Sequence, residues 1–394
     1  MRIPIIWSLA MMLSACAPTL GGVSPPAGVA VGFNRQQITP LVVEGAADRT
    51  TGRIVTADDP VRIASISKLI VALGVMRMVE AGQLDLDRDV SDYLGWTLRN
   101  PHAPQQPLTL RLLLSHRAGL RDAADYVIPL GDSVRARLSR KTAWVPPAPG
   151  GVYPFEYGNI NFPVIASVME TVSGERFDRL MTRQVFAPLG IDACLNWSGC
   201  SDAAVARAVV LYRSTGEVAR DDMGGARPGC IVVAADDGSC DLTDYALGTN
   251  GSLFSPQGGV RISANGLARI GQMLLRGGDD FLTAASIAEL ARPVGEDTSG
   301  LPFFCRYGLA VQTLGGGGAG CDDALFADGR SRIGHAGEAY GLRSGLWLDM
   351  ERGTGMAYFL TGVPDRTSVE EGGFADEERA FVARAEAAIG AQRK

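Results

Sequence analysis

The chain reads as an α+β protein: an antiparallel sheet flanked by helices, with a mostly helical part inserted between the first and last strands. Three observations carry this reading. Short branched runs bounded by turn residues stand near the start, in "GVAVGF" and "ITPLVVEGAA". Similar runs return near the end in "LRSGLWLDMERGTGMAYFLTGV", which reads as a hairpin around a glycine-containing turn. Between them apolar residues recur at helical spacing. The sheet is therefore expected from residues 27–64 and about 300–394, and the helical part from about 65–260.

Taken in order, the first element is a leader. Residues 1–15, "MRIPIIWSLAMMLSA", carry one Arg and then an apolar stretch of signal-peptide length, short for a bilayer span. Leu13-Ser14-Ala15-Cys16 resembles a bacterial lipobox, which makes Cys16 the lipidated first residue. Ordinary cleavage near Ala17 is disfavoured by Pro18 after the cut. Ala17 in place of Asp resembles the outer-membrane sorting pattern of Gram-negative lipoproteins. Residues 16–26 are small and Pro/Gly-rich, a tether from the membrane, and a single domain is expected over 27–394. The 394 residues are 46% hydrophobic and 20% charged, enough for a large core. A net charge of −6 without a basic run speaks against a nucleic-acid partner.

The other cysteines are Cys194, Cys200, Cys230, Cys240, Cys305 and Cys321. An even number in an exported chain points to disulfides. Several pairings are open; the sequential one, 194–200, 230–240 and 305–321, closes the shortest loops. No C-x-x-C occurs, and His102, His116 and His335 are scattered, so neither a metal nor another cofactor is expected.

"SKLIVALGVMRMVEAG" reads as a helix that is apolar almost all round and stops at Gly82, hence a buried one. "LTLRLLLSHRAGL" gives a shorter helix. "NFPVIASVMETVSGERFDRLMTRQVF" gives two, broken at Gly174, and "SANGLARIGQMLLRGG" and "TAASIAELAR" give two more. "DEERAFVARAEAAIGAQ" closes the chain as an amphipathic helix. Gly315-Gly316-Gly317-Gly318 reads as a loop.

Three short stretches carry chemistry. Ser65 and Lys68 stand at the start of the first long helix, and residues three apart share a helix face. A Ser hydroxyl becomes a useful nucleophile when a neighbouring base takes its proton. Ser is also a common helix cap, and Lys is common in helices. Usage favours the base: Lys occurs only at 68, 141 and 394, and positive charge elsewhere is Arg, which cannot accept a proton. The second stretch is Tyr157-Gly158-Asn159. A phenol near an ammonium can lose its proton more readily and can then act as a general base, so Lys68 and Tyr157 both stand as candidates for the first proton, and Asn159 can donate its amide to a substrate carbonyl or to Lys68. The third is His335-Ala336-Gly337 before the final hairpin, where small residues allow a substrate to lie along a strand edge.

In this order the three stretches resemble the S-x-x-K, Y-x-N and K-T-G or H-x-G motifs of the class C β-lactamase, DD-peptidase and serine esterase family. The likeness extends from about Ala27 to Val363 through "LTLRLLLSHRAGL", "VFAPLGI" and "SPQGGVRISANGLARIGQML". It implies a β-lactamase/transpeptidase-like fold and an acyl-enzyme mechanism. Ser65 would attack a carbonyl with help from Lys68 and Tyr157, which titrate as a coupled pair. Backbone N–H groups of Ser65 and Glu338 would hold the oxyanion. Asn159, His335 and Gly337 would contact substrate, and His116 would be structural. His335 stands where a Lys would supply a permanent charge for a substrate carboxylate, and a neutral His favours esterase-like or peptidase-like members. Glu338 replaces a small residue; turned inward it would repel anions, turned outward it would not.

The implied substrate is a small ester or amide, or a peptidoglycan-derived one. D-alanyl-D-alanine carboxypeptidase or weak β-lactamase activity is the alternative chemistry, and a non-catalytic envelope-binding lipoprotein the alternative role. The lipobox reading has a direct check. Radiolabelled fatty acid is expected to enter the wild-type protein and to be absent from Cys16→Ala; an unlabelled wild type refutes the anchor.

Overall fold

The computed structural model describes residues 25–220, 222–295, 301–315, 320–365 and 373–392. The leader, Cys16 and Gly316–Gly318 lie outside the described residues.

Among the described residues the main sheet has six antiparallel strands. They are β1 (Gly28–Asn34), β2 (Ile38–Glu44), β3 (Gln312–Leu314), β4 (Arg332–Ala339), β5 (Leu342–Asp349) and β6 (Thr354–Leu360). Their order across the sheet is β3-β4-β5-β6-β1-β2. Strands from the two ends of the chain therefore meet in the middle, where Val29 of β1 lies opposite Phe359 of β6. The expected hairpin is present as β5 and β6, with Asp349 opposite Thr354 at its turn.

Both faces of this sheet are covered, which is why its central strands are buried on both sides. Val29, Val31, Phe33, Leu346, Leu348, Ala357 and Phe359 face the larger core. That core also takes α1 (Ile66–Glu80) and a later helix, Ala264–Leu275. The alternate residues Ala30, Trp347, Met356 and Tyr358 face the terminal helix, Asp376–Gln392, through Phe381, Val382 and Ala385. Helix α1 is buried along almost its whole length, as an apolar surface all round requires.

The segment between the sheet's two halves contains the expected helices: Leu110–Leu114, then Asn161–Ser173 and Phe177–Met181 on either side of Gly174. It also contains something that the periodicity did not show. Val61–Arg62, Cys194–Leu195 and Val260–Ile262 form a small sheet with the last of these in the centre. Strands of two or three residues are too short to display an alternating pattern. This small sheet matters because it holds the entry to α1: Ile63 N donates to Val260 O at 3.0 Å. All three disulfides are the sequential ones, Cys194–Cys200, Cys230–Cys240 and Cys305–Cys321.

One contact between the layers gives a stability test with a worked sign. The Phe33 ring fits between Gly271 and Gly355, and a Cβ on either glycine would stand 2.3 Å from its Cζ. Alanine is better than glycine in a helix interior by about 1 kcal/mol. Overpacking a core costs about 1–3 kcal/mol, and here the ring is blocked on its far side. Packing should win, so Gly271→Ala is expected to lower the urea midpoint. An unchanged or higher midpoint means that the ring moves aside.

Candidate active site

The site forms where four segments distant in sequence converge. Ala64, just before Ser65, adopts a left-handed backbone with φ +48°, an unfavourable state for a residue with a side chain. The chain turns sharply there and enters α1. Ser65 occupies the cap position of the helix, yet its hydroxyl makes no capping hydrogen bond. The hydroxyl is instead 3.0 Å from Lys68 Nζ. Ser65 is partly exposed, whereas Lys68 is completely buried.

Lys68 Nζ donates to Asn159 Oδ1 at 2.8 Å and to the Gln257 carbonyl at 3.0 Å. Both oxygens are acceptors only. They fix two N–H bonds of the amine and leave one tetrahedral position, which faces Ser65 Oγ. On the neutral amine that position is a lone pair aimed at the serine proton. Burial favours the neutral form and brings Lys68 down to about 7, against a smaller opposing pull from Asp122.

Tyr157 lies beside Ser65, whose side chain opposes in part the effect of burial on the phenol. Its ring lies 5.0 Å from Lys68 Nζ and stacks on Phe304 at 4.6 Å. Burial works against an acidified phenol. Burial is the largest influence on Tyr157 and pushes it well above 10, helped by the negative charge of Asp122. Burial thus favours the neutral form of both groups, the phenol of Tyr157 and the amine of Lys68.

His116 holds the Tyr157 segment in place. Its carbonyl accepts from Glu156 N at 2.9 Å, and its Nδ1 accepts from Gly158 N at 3.2 Å. Burial, with Lys68 nearby, holds His116 well below its ordinary value, so it is a neutral structural acceptor.

Strand β4 brings the third group. Ser344 Oγ donates to the Ile63 carbonyl at 3.0 Å, and a Cβ at Gly337 would stand 2.3 Å from that same oxygen. Only glycine lets β4 approach the Ile63–Ser65 turn this closely. Strand β3 pairs with residues 332–334 alone, so β4 has no β3 partner from His335 onward. His335 is buried; Tyr307 Oη lies 2.8 Å from its Nε2, and Nδ1 faces the Ala336 carbonyl at 2.5 Å. A carbonyl requires a proton on Nδ1, so Nε2 accepts from the tyrosine. Burial, with Lys68 adding to it, lowers His335 to about 3. Glu338 forms an ion pair with Arg343 across the strand pair and is exposed, so its carboxylate is held outward.

A family model described as Beta-lactamase matches residues 23–380. The chain belongs to the Beta-lactamase family. It is 29% identical to Penicillin-binding protein 4 of Amycolatopsis lactamdurans over 38% of this chain and 39% of that protein. It is 29% identical to Esterase EstB of Burkholderia gladioli over 38% of this chain and 42% of that protein. The chain thus spans about two fifths of the length of these curated relatives. Its fold is that of the D-amino acid amidase from Ochrobactrum anthropi SV3, with a TM-score of 0.63 at 19% identity over 93% of this chain and 95% of that one.

The motif residues Ser65, Lys68, Tyr157, Asn159, His335 and Gly337 lie close together in the structure. Four contributors escaped the sequence reading. Gln257 acts through its backbone carbonyl, which no side-chain pattern reveals. Asp122 reads as one more loop carboxylate. Phe304 and Tyr307 read as core aromatics, and the Cys305–Cys321 bridge ties down the loop that carries them. Among the described residues no group of His, Cys, Asp or Glu gathers to hold a metal.

Lys68 gives a stability test. Its ordinary value is 10.5 and its folded value is about 7. Between these the unfolded chain binds a proton that the folded chain has lost, so stability rises with pH across that window. Relative to Lys68→Met, wild type is expected to gain melting temperature from about pH 7 to about pH 10. A constant difference means that Lys68 keeps its ordinary basicity.

Proposed function

We propose that this chain is a serine hydrolase that cleaves esters or amides through an acyl-enzyme on Ser65. One observation carries the reading: a buried, weakly basic Lys68 amine directs its free position at Ser65 Oγ from 3.0 Å. As Oγ bonds the substrate carbonyl carbon, its proton passes to Lys68 Nζ and the carbonyl electron pair moves onto oxygen. The backbone N–H groups of Ser65 and Glu338 are the donors we assign to that oxyanion. When the C–O or C–N bond breaks, the leaving group takes up the proton that Lys68 received from Ser65. Tyr157 stays a phenol and stabilises the departing atom as a hydrogen-bond donor. Water next attacks the acyl-serine, passing its proton to Lys68, and the acid departs as Ser65 regains its hydrogen.

The substrate side follows from His335. It is neutral, and both its nitrogens are engaged, so it offers no fixed positive charge to a substrate carboxylate. Glu338 faces outward and adds no repulsion within the site. This supports esterase-like or peptidase-like activity above efficient β-lactam hydrolysis. The three disulfides support export, and the lipobox reading of Cys16 supports a membrane tether on the periplasmic side, at the outer membrane.

The test is acylation. Wild type is expected to take a fluorophosphonate probe and to turn over p-nitrophenyl esters, and Ser65→Ala to do neither. Its kcat/KM should rise with pH to a plateau, with an inflection near 7 as Lys68 loses its proton. Tyr157→Phe should lower kcat about 10²–10⁴-fold without moving that inflection. D-alanine release from a D-Ala-D-Ala peptide, set against nitrocefin hydrolysis, assigns the leaving group. A wild type that takes no probe, with peptidoglycan binding that survives Ser65→Ala, overturns the enzyme in favour of a binding lipoprotein.

A further inference from the structure

The reading above requires the Lys68 lone pair to face Ser65. That requirement rests on Asn159, whose amide has two chemically opposite ends. With Oδ1 toward Lys68, Asn159 accepts an N–H and leaves the lone pair for serine. With its NH₂ toward Lys68, Asn159 would itself donate to that lone pair and compete with Ser65 for it. Something must hold the amide in one orientation.

Asp122 is placed to do so. It lies in a short turn, Asp122–Ala124, following the His116 segment. Its Oδ2 accepts from Asn159 Nδ2 at 2.8 Å, and its Oδ1 accepts from Ile160 N at 3.0 Å. A carboxylate is acceptor only, so the flipped amide would set oxygen against oxygen at that distance. Gly158 permits the arrangement: a Cβ there would lie 3.0 Å from the Leu120 carbonyl, so a side chain would press the two segments apart.

We propose that Asp122 is a positioning residue that fixes the Asn159 amide with its oxygen toward Lys68, so that the lysine amine presents its free position to Ser65. The chain of contacts runs Asp122 to Asn159 to Lys68 to Ser65, and Asp122 itself touches neither substrate nor serine. The proposal rests on the assignment of Lys68 as the base.

The charge of Asp122 gives it a signature that a purely structural residue lacks. The titratable groups around Lys68 are Asp122, Tyr157, His116 and His335. Burial keeps the phenol protonated and both histidines neutral near pH 7. Asp122 is the group among them that raises Lys68. Tyr126 is a further phenol near Asp122, and it too is raised by burial.

The experiment compares pH profiles of p-nitrophenyl ester turnover for wild type, Asp122→Asn and Asp122→Glu. Rates are normalised to the fraction of protein labelled by fluorophosphonate at long exposure, which removes misfolded material. Asp122→Asn keeps the shape but removes the charge and can accept or donate, so it no longer dictates the Asn159 amide. Its kcat is expected to fall at least about tenfold with KM little changed, and its inflection to move to lower pH. Asp122→Glu is expected to keep the inflection near that of wild type. An Asp122→Asn enzyme with the wild-type inflection and kcat within about twofold overturns the proposal, as does a loss shared equally by Asn and Glu with no shift in either. A wild type with no inflection between about pH 6 and 8 overturns instead the assignment of Lys68, which separates the two failures.

Discussion

The structure of the site depends on one buried amine. A lysine wholly removed from water must either find full compensation for its charge or give the charge up. Lys68 has two neutral oxygens and a hydroxyl around it, with its nearest carboxylate, Asp122, on the far side of an amide. That is sufficient hydrogen bonding for an amine and weak compensation for an ammonium. The neutral amine is consequently accessible near neutral pH, and the geometry decides what it does with its lone pair. Under the proposed mechanism the rest of the site serves that geometry.

The fold supplies it by bringing together backbone from places far apart in the chain. The Gln257 carbonyl arrives because residues 260–262 form the middle strand of the small sheet that also holds Ile63. Asn159 arrives because Gly158 lets its segment lie against Leu120 and Arg121. Strand β4 arrives because Gly337 has no side chain to meet the Ile63 carbonyl. Two of the motifs thus carry a glycine for the same steric reason, close approach of one backbone to another, and the polar residues next to each glycine are placed by it.

What could be read in the sequence divides along physical lines. Strands β1, β2, β5 and β6, α1 and the terminal helix are long enough for their patterns to declare them, and their ranges follow those patterns closely. Ser65, Lys68, Tyr157, Asn159 and His335 were legible because each is a reactive side chain in a short motif. The protonation of Tyr157 was not, since it depends on how completely the fold encloses a ring, and the motif alone left the first proton open between Tyr157 and Lys68. Gln257 contributes a group that every residue possesses. Asp122 differs from other loop carboxylates only in the amide it faces. Glu338 was ambiguous until the register placed Arg343 opposite it.

His335 and Tyr157 together show how the site keeps its electrostatics simple. Each is a titratable side chain whose first influence is burial, and burial drives each to its neutral form. His335 gives up a proton and Tyr157 retains one, so neither changes charge across the range in which Lys68 does. Charging His335 would place a cation within reach of Lys68 and depress the lysine further. Ionising Tyr157 would have the reverse effect and hold the ammonium in its charged form. A neutral frame around one titrating amine makes its basicity a function of burial and of a single carboxylate. Under the proposed mechanism, a neutral residue at position 335 lacks a permanent charge for anchoring substrate carboxylates and leaves the basicity of Lys68 undisturbed, so the same position bears on both.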